Sequence, residues 1–329
     1  MAAAVVSGAA FGAALMAAGF HNPALVIEQL KFENWHMLQA FLAATATSGL
    51  IYAVAERVGY VKLQPRSSSP LGLFAKYDGN IVGGALLGVG MALSGSCPGT
   101  LYPQLAAGVR TGFYALAGAG VGGILWTGFL SKAAKKQRED AGVKPEAGVV
   151  SEALGLSKAT TLLLLEAACL AVIALTTVYT PRNTNTMLPG ATGGLLIGLA
   201  QLVSVLTRRS MVGISGSYEE MGHVFWWLVG GAAPGARPAS YQNMLFASGV
   251  AAGAWGLLRA VPALAAAPAV EVPPPLAVAG GVLMVVGSRM AGGCTSGHGI
   301  SGISLLSASS LITIATTFAV GGLVAPLVY

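Results

Sequence analysis

Two apolar runs, each closing on a glycine-rich cysteine turn, set the terms for this chain. IVGGALLGVGMALSGSC (81–97) aligns without a gap on VAGGVLMVVGSRMAGGC (278–294). At a constant offset of 197, Gly83, Gly84, Gly90, Gly95 and Cys97 fall on Gly280, Gly281, Gly287, Gly292 and Cys294. A helix that is apolar all round belongs in a core or in a bilayer. A glycine turn at the end of such a run leaves irregular backbone at the same depth. That backbone is tolerable only where protein covers it or where it lines a cavity.

Composition decides between core and bilayer. Of 329 residues 54% are hydrophobic and 9% charged, mean hydropathy is +0.71, and glycine occurs 46 times. Soluble domains carry about 25% charged residues, and helices packed closely in lipid favour small residues. The chain is an integral membrane protein. The opening MAAAVVSGAAFGAALMAAG has no basic stretch before it and more membrane-type sequence after it, which marks a retained first span. Three cysteines make no disulfide framework, and the net charge of +6 reflects topology rather than nucleic-acid binding.

A spanning helix needs about 20 apolar residues. Full spans are expected at 4–20, 36–55, 111–130, 158–179, 188–206, 241–258 and 309–328, with shorter ones at 80–95 and 276–291 that end in the cysteine turns. Four pieces are too short to cross: 23–31, 99–109, 218–233 and 299–308. Ser217-Tyr218-Glu219-Glu220 reads as a capping box opening the third of these. The expected fold is all-α and polytopic, with about nine transmembrane helices and four short re-entrant helices.

Ten of the 18 Lys and Arg residues lie in 56–79 and 131–158, so both loops, and with them the N-terminus, are assigned to the cytoplasm of a plasma-membrane protein. Arg208, Arg209 and Arg237 fall on the same side; Arg182 and Arg259 fall opposite, against the rule. Because 158–179 is an unpaired crossover, the second half must run inverted to the first. The division is a first half 1–131, a polar linker 132–157, a crossover with external loop 158–187, and a second half 188–329. The repeat also occurs faintly twice more. Gly8, Gly12 and Gly19 stand for Gly84, Gly88 and Gly95, which puts His21 at the place of Cys97; Gly193, Gly194 and Gly198 stand for Gly83, Gly84 and Gly88. Inverted halves with broken helices characterise transporters whose substrate path lies near the midplane.

The turns offer neutral donors. In SGSCPGT, Gly95, Cys97, Pro98, Gly99 and Thr100 read as a helix start, with Pro98 at the first position and Cys97 at its N-cap. In GGCTSGHG, Gly293, Cys294, Thr295, Ser296 and His298 read alike. Free N–H groups there favour an anion. A thiolate would repel it, so a useful thiol stays protonated as a soft S–H donor, which suits a small sulfur-containing anion.

These motifs carry a resemblance. GxxxxSGSCPGT at 90–100 and GxxxxGGCTSGHG at 287–299 are similar to those of the YeeE/YedE sulfur-transport family, over nearly the whole chain. The resemblance implies thiosulfate uptake through an hourglass of inverted repeats, with Cys97 and Cys294 at central positions. A third cysteine expected at the mouth is absent, and His21 or Asn22 stands there. A related sulfur or selenium compound is the alternative substrate, and a cytosolic sulfur-carrier protein is a candidate partner.

Other residues divide by context. Cys169, mid-span without a turn, reads as packing. Arg289, five residues before Cys294, is an ionisable group near membrane depth and hence a substrate-contact candidate, with Glu166 either its partner or a locally hydrogen-bonded residue. His36 and His223 read as interfacial. No CxxC, P-loop or Ser/His/Asp set is present, so neither enzyme chemistry, a metal nor a cofactor is expected. The alternatives from other classes are a membrane sulfurtransferase that holds sulfur as a cysteine persulfide, and a passive pore.

Overall fold

The computed structural model describes residues 1–231, 238–267 and 269–329. The chain folds as four similar units, each a long helix, a short helical piece and a second long helix. The first holds α1 (Ala2–Ala17), α2 (Ala24–Leu30) and α3 (His36–Arg57). In the second, α4 (Asp78–Ser94) and α5 (Leu101–Ala106) precede α6 (Arg110–Leu125), which runs through a π turn into α7 (Ser131–Asp140). After α8 (Val150–Ala153) and the crossover α9 (Lys158–Tyr179) come α10 (Gly190–Arg208), α11 (Ser215–Val229) and α12 (Gln242–Ala260). The fourth unit is α13 (Pro274–Met290), a π-helical turn (Ser296–Gly302) and α14 (Ala308–Val328).

Among the described residues five helices are long and apolar enough to cross a bilayer: His36–Arg57, Arg110–Asp140, Lys158–Tyr179, Gly190–Arg208 and Ala308–Val328. Ala2–Ala17 and Pro274–Met290 are apolar but shorter. Crossover helix α9 turns almost its whole surface outward, burying only Thr161 and Cys169. Its uniform apolar composition therefore faces lipid rather than a protein core.

Glycine sets the helix pairing. A Cβ at Gly83 would lie 2.6 Å from Gly287 O, and one at Gly90 would lie 2.6 Å from Gly280 O. Conversely, Gly287 meets Gly83 O at 2.5 Å and Gly280 meets Gly90 O at 2.6 Å. Backbone thus touches backbone along an antiparallel α4–α13 seam. Its contacts are reciprocal in repeat positions, because Gly280 and Gly287 are the counterparts of Gly83 and Gly90. Other pairs run parallel: α1 with α12 (Gly8 on Phe246, Gly249 on Val5), α3 with α10 (Gly194 on Ala40), α4 with α14 (Gly88 on Thr317) and α6 with α13 (Gly118 on Val278).

Local readings need several corrections. The third short helix starts at Ser215, so Ser217-Glu220 is not a capping box. Ser217 Oγ donates to Ile214 O, and Glu220 instead accepts from Asn243 Nδ2 (2.8 Å) and Met244 N (2.9 Å) at the start of α12. The span expected to stop near residue 130 continues as helix to Asp140, since SKAAKKQRED has good helix formers and no breaker. Nor is the polar linker free: Ser68 N donates to Glu146 O (2.8 Å), Arg138 Nε to Pro70 O (3.0 Å), and Val150 N to Leu306 O (2.9 Å). The two basic loops accordingly lie on one side of the molecule and clasp each other. An exposed Lys76–Glu146 pair at 2.7 Å adds to that contact, lowering the Glu146 pKa and raising that of Lys76. Arg237 lies outside the described residues.

Candidate functional site

The two cysteine turns begin alike. Gly95 ends α4 with φ +57° and Gly292 follows α13 with φ +84°, the left-handed conformation that lets a chain leave a helix sharply. Gly19, their counterpart in the first unit, has φ +83°. Gly95 is doubly required, since a Cβ there would also sit 2.9 Å from Pro23. That contact seats the turn holding His21 against the turn holding Cys97.

Cys97 does not cap a helix. Its N–H donates to Thr100 Oγ1 (2.8 Å), Thr100 N returns to Cys97 O (3.1 Å), and helix α5 starts only at Leu101 with Thr100 as its N-cap. Pro98 and Gly99 lie inside this turn, and Pro98 O accepts from the Tyr218 hydroxyl (2.8 Å). A hydroxyl-closed turn has displaced the expected helix start, because Thr100 can bond both ends of CPGT. Six residues of α5 carry too little dipole to matter; the local N–H groups do more.

Around Cys294 the donors are denser. Its Sγ lies 3.2 Å from Ser296 Oγ, and the backbone N–H groups of Gly297, Ile214 and Ser215 point at it. Two of those amides come from the start of α11, in another unit. His298 braces this turn: Nε2 donates to Ala291 O (3.1 Å) and Nδ1 accepts from Ser310 Oγ (2.8 Å), which assigns the neutral Nε2–H tautomer from its partners. Both ring nitrogens are used by protein. Gly293 leaves room for the ring, as a Cβ there would be 2.9 Å from His298 Cδ2.

The turns meet. Thr295, fully buried, faces the Cys97 thiol, and its Oγ1 has no other hydrogen-bond partner. Cys97 and Cys294 are close enough to interact electrostatically, and both are buried, at 3% and 0% exposure. Tyr102 and Tyr218 wall the same space with ring centroids 6.2 Å apart, and the Tyr102 hydroxyl is 3.2 Å from Ser217 Oγ. The site is therefore a buried cage of thiol, hydroxyl and backbone N–H donors. It suits a small anion, and among the described residues no His, Cys, Asp and Glu group could hold a metal.

Not every candidate belongs to the cage. His21 is 3% exposed with Nδ1 unpartnered, in the turn beside Gly95. His36, expected at the interface, is buried and bonded to Ala18 O (2.9 Å), whereas His223 is exposed. Arg289 pairs with Glu219 rather than Glu166, which instead packs on Gly49 with Oε1 unpartnered. Arg289 lines a cleft of about 440 Å³ on the side of the basic loops, together with Arg66, Lys135, Arg138 and Glu219. Arg66 went unnoticed in the sequence because it counted only as a loop charge. Its Nε donates to Gly297 O (2.6 Å) and Nη1 to Gly292 O (2.9 Å), clasping the second turn from that cleft.

A family model described as sulphur transport matches residues 17–324. The chain belongs to the sulphur transport family. It is 25% identical over 295 residues to the "Thiosulfate transporter TsuA" of Spirochaeta thermophila, covering 85% of this chain and 84% of that protein. A "Probable transporter" of Xylella fastidiosa is 35% identical over 128 residues, which are 37% of this chain but 81% of that shorter protein. The sulphur transport match begins at the end of α1 and includes both cysteine turns.

Proposed function

We propose that the protein carries thiosulfate inward across the plasma membrane through the cage between the two turns, with Cys97 and Cys294 as successive neutral contacts. The observation that carries this reading is Thr295, a buried hydroxyl whose one polar neighbour is the thiol of the opposite turn. Cys97 lies on the outer side, since its turn packs against the 19–23 turn, and Cys294 on the inner side, since its turn packs against the basic loop. Complete burial of both thiols argues against handing a covalently held sulfur to an acceptor protein. Uptake of labelled thiosulfate into vesicles, with sulfate, sulfite and selenite as competitors, tests the reading. Competition by sulfate as strong as by unlabelled thiosulfate would remove the role of the soft sulfur.

Segments 1–131 and 188–329 form two inverted halves in this reading, related by a two-fold axis in the membrane plane, with 132–157 as linker and 158–187 as crossover. The reciprocal glycine contacts of α4 and α13 support it, as does the pairing of α1–α12 with α3–α10. The half-length relative supports it too. Nine spans with the N-terminus in the cytoplasm then follow. Cysteines introduced at 70 and 140 should label from the same, cytoplasmic side; labelling from opposite sides would refute this topology.

Arg289 attracts the anion to the inner cleft while Glu219 tempers it. Arg289→Met leaves Glu219 unopposed there, so uptake should fall about tenfold or less, with little change in thermal stability, as a partly exposed pair contributes about 0–1 kcal/mol. Glu219→Gln should leave uptake intact or raise it. Unchanged uptake in Arg289→Met would reduce this arginine to a structural role.

A further inference from the structure

Behind the second cysteine turn, two buried polar side chains have no use for part of their hydrogen-bonding capacity. Tyr52 on α3 is 4% exposed, and its hydroxyl has no polar neighbour except the Ser301 hydroxyl. Gln201 on α10 is fully buried; its Oε1 accepts from Val212 N (3.2 Å), but Nε2 has no acceptor. Both converge on Ser301 in the π-helical turn. The Ser301 hydroxyl donates to Val212 O (2.8 Å), lies 3.4 Å from Gln201 Oε1, and is faced by the Tyr52 hydroxyl. Buried donors left unpaired in this way are costly, about 1–3 kcal/mol each, and call for a reason.

Arg66 stands at the edge of the same space. Two of its nitrogens hold Gly297 O and Gly292 O, while Nη2 lies beside the turn: a Cβ at Gly297 would come within 2.8 Å of it and one at Gly213 within 3.6 Å. The residues Val212 to Ser215 tie the parts together. Val212 meets Gln201 and Ser301, Gly213 meets Arg66, and the amides of Ile214 and Ser215 point at Cys294. Among the described residues no carboxylate pairs with Arg66. A partly buried guanidinium without a counter-charge, next to an orphan phenol and an orphan amide, is a set of donors with a net positive charge. Such a set excludes a cation and fits an oxoanion.

We propose that Arg66, Tyr52 and Gln201 form a second anion station just inside Cys294, where the substrate rests before release into the basic cleft. This rests on the transport reading above. The two stations divide the chemistry of thiosulfate: soft thiols meet its terminal sulfur, and hard N–H and O–H donors meet its oxygens. A fixed charge at the inner end also gives a doubly charged anion, passed along by neutral contacts, somewhere to go.

Gln201→Glu tests the station with little change in shape. It keeps Oε1 for Val212 N and replaces the orphan donor with a carboxylate oxygen, which puts a negative charge in the proposed anion site. In proteoliposomes, labelled thiosulfate uptake should fall more than about tenfold, and in detergent the thermal stabilisation produced by thiosulfate should weaken by a similar factor. Tyr52→Phe should raise the half-saturating thiosulfate concentration about threefold to tenfold. Both variants should melt near wild type in the absence of thiosulfate. Wild-type rates and half-saturation in both variants would overturn the station and leave the transport reading standing. Sodium-stimulated uptake in Gln201→Glu would overturn it as well, by revealing a cation site. If wild-type protein takes up no thiosulfate, the transport reading fails instead. Stabilisation of wild type by thiosulfate, lost in Gln201→Glu, would then still support the station.

Discussion

Alanine at Cys97 or at Cys294 is expected to reduce thiosulfate uptake at least about tenfold, whereas alanine at Cys169 should leave it within about twofold. A hydrogen bond to a charged group is worth about 1.5–3 kcal/mol, and each 1.4 kcal/mol is a tenfold change. In the proposed path each thiol makes one such contact with the anion. Cys169 lies on the crossover helix α9, where it is one of two buried residues and belongs to neither cysteine turn. Folding should survive all three changes, because removing one sulfur atom from a buried site costs far less than the Leu→Ala losses of about 2–5 kcal/mol. Serine at Cys97 or Cys294 keeps a donor and loses polarizability, so it should fall between alanine and wild type. Transport measured against protein recovered after a mild heat step separates the effects. Normal uptake in both alanine variants would show that the repeat has pointed to the wrong sulfurs.

Gly90→Val is expected to prevent recovery of folded protein altogether. A Cβ at Gly90 would lie 2.4 Å from Met284 N and 2.6 Å from Gly280 O. Both neighbours are backbone, so no side chain can turn aside and the helices themselves must part. Overpacking costs about 1–3 kcal/mol where neighbours can yield, and here they cannot. Gly256→Ala is the control, since nothing lies within 4 Å of its Cβ position. Size-exclusion profiles of detergent extracts check the pair. A monodisperse Gly90→Val protein with wild-type melting would mean that the α4–α13 seam is looser than its distances say.

Much of the fold was legible because glycine spacing and apolar length are local signals. The 197-residue offset identified the two helices that pair along the seam, and the short apolar pieces at 23–31 and 99–109 match α2 and α5 closely. Cap chemistry was less legible. The Thr100 hydroxyl outcompeted Pro98 for the start of a helix, and Glu220 found the start of α12 more accessible than its own. Arg66 was hidden for a different reason: its partners Gly292 and Gly297 lie more than two hundred residues away, and no local pattern encodes such a contact. A weaker sign of the inner station was present. Thr45, Ser48 and Tyr52 fall on one face of a largely apolar helix, a polar stripe with no reason to exist in lipid.

The seam between α4 and α13 also constrains how the molecule can move. Sliding one helix over another normally proceeds by side chains changing rotamer to let ridges pass. At Gly83, Gly90, Gly280 and Gly287 there are no side chains to change, only carbonyls and amides in direct contact. Displacement there would have to separate the main chains before it could shift them. The centre of the protein is thus a keel, and rocking of one half on the other is expected to be suppressed. What remains free to yield is the pair of turns on either side of it, so the cycle of opening and closing is expected to occur over a few residues.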